Sequence, residues 1–156
     1  MTLGLVPPEP LAEAVVVDVT VRGIPVPQGS LRAFVNPKTG HAQIVSKQRG
    51  GALGAWRDRI ATEAQAAMAG RPPIHGPVRV QAVFVFPRPA SHLGKHGVLP
   101  SAPAYKTSAP DIEKLARAWD SLTGIVWLDD AQVVEMHASK RYGSEPGLKL
   151  RVEALG

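Results

Sequence analysis

The segment PDIEKLARAWDSLTGIVWLDDAQVV, residues 110–134, sets Asp111 and Glu113 ahead of a short amphipathic stretch and Asp129 and Asp130 just after it. Carboxylates held together in a chain of net charge +5 are either caps and turn formers, or they hold a cation. A helix rises only about 1.5 Å per residue. A strand running back beside it can therefore return Asp130 towards Asp111. Three carboxylates meeting from a helix start and a strand start make a hard oxygen site suited to Mg²⁺, with Mn²⁺ as a substitute. Such ions keep several waters and bind phosphate oxygens of a substrate.

The plainer account uses the same residues. Asp111 follows Pro110 and is placed to cap a helix. Glu113, Arg117 and Asp120 fall at i, i+4 and i+7 and share one face, opposite Leu115, Trp119 and Leu122. An ordinary surface helix with a Glu–Arg pair has this pattern, and Asp120 is assigned to it. Asp129 is expected to order the surroundings of the metal or the turn rather than to bind metal.

The elements that position these residues are legible as periodicity. Val15, Val17, Val19 and Val21 alternate with Val16, Asp18, Thr20 and Arg22, which predicts a strand. LRAFVNPKTGHAQIV predicts a hairpin turning at residues 36–40. From about Ala52 to Ala69 the period is helical, with Leu53, Trp56, Ile60, Ala64 and Ala67 on one stripe and Gly70 as its cap. VRVQAVFVF returns to period two and puts Val78, Val80, Ala82, Phe84 and Phe86 on one face. A long loop rich in Pro, Gly, Ser and His follows, and loops of that length are usually functional or disordered. Asp111 to about Thr123 is the second helix, closed by Gly124. Val134, Met136 and Ala138 predict one strand, and Leu148, Leu150, Val152 and Ala154 another. The order βββαβαββ implies an α/β (α+β) fold: one mixed sheet with two main helices packed on it. Residues 1–13, with their VPPEP run, read as a flexible arm ahead of a single domain over 14–156.

Composition narrows the function. The chain has no cysteine, which excludes disulfides and thiol nucleophiles and fits a cytoplasmic protein. Eighteen Lys and Arg against 13 Asp and Glu favour a polyanionic partner, nucleic acid first. No secretory signal and no membrane-spanning apolar run are visible. His92 and His96 sit in a Gly- and Pro-rich context that does not favour zinc. Trp56 and Trp119 lie on apolar stripes and read as core.

Residues 110–134 resemble the signature of the RusA family of Holliday junction resolvases. GIPVPQGSLRAF, AWRDRIATEAQ and ASKRYG also resemble its phage-type members, so the likeness covers most of Val15 to Leu155. It implies a homodimeric, Mg²⁺-dependent endonuclease acting on four-way DNA junctions in recombination and repair. Carried over by position, the metal-binding acids are Asp111, Glu113 and Asp130, and the family's helical lysine falls on Arg117. These four are the candidate catalytic residues. Candidate DNA contacts are Arg32, Lys47, Arg88, Lys95, Lys106, Arg117 and Lys140, with Lys38, Arg49 and Arg57 as further cations. The chain departs from the family pattern in three ways. Glu113 stands where Asp is usual, Arg117 replaces Lys, and the helix is one residue short between Ala118 and Asp120. A non-catalytic DNA-binding dimer derived from the family is the alternative these departures leave open.

Overall fold

Alternation builds the first strand as expected. In β1 (Val16–Arg22), Val17, Val19 and Val21 are buried while Val16, Asp18, Thr20 and Arg22 face outward. The computed structural model describes residues 15–29, 31–35, 37, 38, 40, 42–46 and 51–156, with 31–35 and 42–46 as backbone. The expected arm at 1–13 lies outside the described residues. β2 (Leu31–Val35) and β3 (Ala42–Ser46) pair with each other as the predicted hairpin, in a two-stranded sheet of their own rather than in the main one.

Helix α1 (Gly51–Met68) buries Leu53, Trp56, Ile60, Ala64 and Met68 and packs against β1. Spacings of three and four keep these side chains on one stripe of the helix. β4 (Val78–Phe86) buries Val78, Val80, Ala82, Phe84 and Phe86, the predicted face. The long loop carries a further two-residue hairpin, β5 (Leu93–Gly94) with β6 (Gly97–Val98). After it come α2 (Ile112–Ala116), β7 (Val133–Tyr142) and β8 (Gly147–Ala154). The main sheet runs β1-β8-β4-β7. β8 is antiparallel to β1 and β4, and β7 is parallel to β4. That parallel pair requires a crossover, and α2 lies within it. The mixed sheet with two helices is the predicted architecture.

Two expectations are corrected. The second helix is not continuous. One α-helical turn, α2, gives way to 3₁₀ turns over Arg117–Leu122. The i, i+4, i+7 face is lost with it, because 3₁₀ geometry advances by about 120° per residue. Glu113 and Arg117 form no ion pair among the described residues, and Asp120 instead meets Arg57 at 2.9 Å. The apolar alternation in β7 is present, but Val134 and Met136 are each 59% exposed. β7 is the sheet edge. A five-residue helix is about 7.5 Å long, too short to cover a strand of ten residues, about 33 Å long.

Gly147 shows how tightly β1 and β8 approach. It pairs with Arg22, and a Cβ there would sit 2.2 Å from the carbonyl oxygen of Val21. Backbone cannot yield as a flexible side chain can. Gly147→Ala is expected to cost about 1–3 kcal/mol, read as a lower urea midpoint with an unchanged slope.

Candidate active site

Asp111 precedes α2, and the amides of Lys114 and Leu115 within the helix donate to the Asp111 carbonyl at 3.1 and 3.2 Å. Its carboxylate makes no cap hydrogen bond, so the residue occupies the cap position without spending its side chain on it. The side chain is 64% exposed, and its closest cation is the Lys114 ammonium at 3.9 Å. The Glu113 carboxylate, exposed two residues along, has no ion pair or hydrogen bond among the described residues. The amide of Gln28 donates to the Lys114 carbonyl at 2.9 Å and ties the loop after β1 to this helix.

Asp130 is held from a different direction. Trp127, fully buried, donates its indole N–H to Asp130 Oδ1 at 2.9 Å, and the Thr123 hydroxyl donates to the same oxygen. Both bonds fall on Oδ1, and Oδ2 has no protein donor among the described residues. Asp129 caps the 130–132 turn by accepting the Ala131 N–H at 2.9 Å, the turn-ordering role expected of it. Gln132 closes the capping box. Its side-chain oxygen accepts from the amides of Leu128 and Asp129, and its NH₂ donates to the carbonyls of Ile74 and Gly76 at 2.8 Å each. These four bonds satisfy Gln132 and fix the entry into β7.

A cleft of about 450 Å³ opens beside Asp130. Gln28, Arg117, Trp119, Asp120 and Met136 line it together with Asp130. Arg117 is exposed and makes no ion pair among the described residues. Arg57, which donates to Gln28 at 3.3 Å, offsets the charge of Asp120. The structure therefore brings Arg117 and Asp130 to one cleft. Asp111 and Glu113 are not in its lining.

Among the described residues, no three His, Cys, Asp or Glu side chains are gathered closely enough to cage a metal. The expected convergence of Asp111, Glu113 and Asp130 is thus absent among the described residues, and only the chemistry of the separate carboxylates suits a hard divalent cation. Mg²⁺ keeps several waters and is usually held by one or two carboxylates plus substrate phosphate, not by a closed protein cage. Asp111, Glu113 and Oδ2 of Asp130 offer oxygens that no short hydrogen bond or close ion pair consumes.

The candidate DNA contacts divide sharply. Lys47 lies outside the described residues, as does the side chain of Arg32. Lys95 is exposed at the tip of the β5–β6 hairpin. Arg88, Lys106 and Lys140 are engaged within the protein. Arg88 donates to the Pro103 carbonyl at 2.8 Å and stands 5.6 Å from the centre of the Tyr142 ring. The Lys106 ammonium donates to Ser108 Oγ at 2.8 Å and lies between the Phe86 and Tyr142 rings, 5.4 and 5.6 Å from their centres. His92 packs edge-on to Tyr142 at 4.8 Å, so it serves packing. Lys140 donates to two backbone carbonyls. Cation–π contacts of this kind contribute about 0.5–2 kcal/mol and hold the 87–110 loop on the ends of β4 and β7.

Sequence reasoning missed the partners of Asp130 and the clamp made by Gln132. A Trp three residues before an Asp in a turn was the available signal for the first. Nothing in the sequence marks Gln132 as reaching Ile74 and Gly76 across more than fifty residues. Trp56 and Trp119 are buried, as expected.

Comparison with curated proteins finds no match. A family model does match: that of the endodeoxyribonuclease RusA, over residues 25–153. It spans most of the chain and contains all four candidate catalytic residues and every element from β2 to β7. The chain belongs to the RusA endodeoxyribonuclease family.

Proposed function

We propose that the protein is a Mg²⁺-dependent, structure-specific endonuclease that resolves four-way DNA junctions by paired nicks, in recombination and repair in a bacterial or phage-infected cytoplasm. Family membership supplies the nuclease class. The observation that carries the site is the presence, at one cleft, of the anchored Asp130 and of Arg117, which has no ion pair among the described residues.

Asp111, Glu113 and Asp130 would hold the ion, with Mn²⁺ able to replace Mg²⁺. When bound, it supplies a water nucleophile at neutral pH and stabilises charge on the attacking and leaving oxygens. The protein's own part is positional. Trp127 and Thr123 fix Asp130 through Oδ1 and leave Oδ2 for a ligand. Arg117 cannot deprotonate, so it is no general base; its planar guanidinium suits a phosphate bidentately. A four-way junction has two-fold pseudo-symmetry, and a C2 homodimer would present two sites to opposing strands.

The deciding experiment incubates purified protein with a labelled four-way junction and a linear duplex of the same sequence. Nicking of the junction that requires Mg²⁺, stops with EDTA and spares the duplex is expected. Tight junction binding without nicking in either Mg²⁺ or Mn²⁺ would instead favour a non-catalytic junction-binding dimer. That reading draws support from the open carboxylate arrangement and from Glu113 and Arg117 at positions where the family pattern has Asp and Lys.

A further inference from the structure

The residues just ahead of Asp111 form a strap along the open side of the edge strand β7. The Tyr142 amide donates to the Ala104 carbonyl at 3.0 Å, and the Lys106 amide donates to the Lys140 carbonyl at 3.2 Å. Tyr105 and Arg141 form an isolated antiparallel bridge between them, and Arg141 stands over the Tyr105 ring at 4.8 Å. The strap then leaves the edge and bends into α2. At that bend the half-buried Lys140 ammonium donates to the carbonyls of Ser108 and Pro110, at 2.9 Å each.

We propose that Lys140 is a positioning residue for Asp111: its ammonium fixes the peptide plane from which that carboxylate projects. The Pro110 carbonyl carbon is bonded directly to the Asp111 nitrogen, so holding its oxygen sets where α2 begins and where Asp111 stands. Two of the three ammonium donors are committed to this bend. Lys140 thus acts through Asp111 and not as a grip on the DNA backbone. The consequence for metal rests on the functional reading above; the tether itself does not.

Lys140→Met keeps most of the length of the side chain and removes its donors. Two measurements read the result without nicking. Amide exchange across 104–111 and at Tyr142 is expected to quicken by about tenfold, since this ammonium holds the strap at its bend into α2. Mn²⁺ affinity, measured by calorimetry on the DNA-free protein, is expected to fall by about tenfold, the usual scale for a residue that orients a ligand. The Mg²⁺ concentration for half-maximal nicking should rise in parallel. Metal-free junction affinity should stay within about twofold, because a lost phosphate contact would lower it together with its salt dependence. Lys140→Arg, whose fork can still span two carbonyls, should restore most of both. Lys140→Leu, which also lacks a donor, carries the same test if the methionine variant fails to fold.

Unchanged exchange across the strap overturns the proposal. So does a loss of junction affinity with no change in metal affinity, which would make Lys140 a phosphate contact. If the unaltered protein nicks no junction, the functional reading fails, and exchange and calorimetry still decide the role of Lys140.

Discussion

Asp130→Asn is expected to abolish Mg²⁺-dependent nicking, by about 10³-fold or more, the scale on which removing part of a transition-state charge-stabilising set acts. The substitution removes charge and little else. The Asn side-chain oxygen can still accept from Trp127 and Thr123, so the turn at 130–132 and its capping box should persist. Folding stability should therefore hold, as a matching urea midpoint would show. Junction affinity should be retained or improve, because one negative charge leaves a face that meets phosphates. Gel-shift and cleavage assays on one preparation read both halves. Cleavage at the unaltered rate would remove Asp130 from the chemistry.

Trp127→Ala is expected to produce the largest loss of stability, about 3–5 kcal/mol, typical of emptying a buried indole site. Trp127 is fully buried, bridges to Ile74, and makes the hydrogen bond that aims Asp130. Stability and site geometry are joined in this one ring, and Trp127→Phe separates them. Phenylalanine refills most of the volume but cannot donate, leaving Asp130 with Thr123 alone. Its urea midpoint should fall far less than that of the alanine variant, while nicking still drops by about tenfold, the scale for losing a residue that orients a metal ligand. Equal nicking by the phenylalanine variant and the unaltered protein would show that the indole N–H contributes nothing to the site.

The sequence carried β1, β4 and β8 well because their apolar residues alternate. Val17, Val19 and Val21, the five inward residues of β4, and Leu148, Leu150 and Val152 all lie where period two puts them. It was less informative wherever a residue's partner lies far along the chain. Lys140 has the same sequence appearance as a phosphate-binding lysine. Its engagement with Ser108 and Pro110 depends on the strap lying along β7, which no local pattern encodes. The break in the second helix was equally hidden. Leu115, Trp119 and Leu122 satisfy a helical spacing, yet the 3₁₀ turns bury Ala118, Trp119 and Leu122 as well as a continuous helix would. Asp130 was found from its neighbours in the LDDAQVV run, while the atoms that hold it were not.

The tight winding at Arg117–Leu122 has a consequence for reach. Six residues at about 2.0 Å each extend about 12 Å, against about 9 Å as α-helix. Coiling more narrowly gains about 3 Å over the same six residues. A shorter spelling of the segment can thus cover the same axial distance, still delivering the indole of Trp127 to the carboxylate it serves.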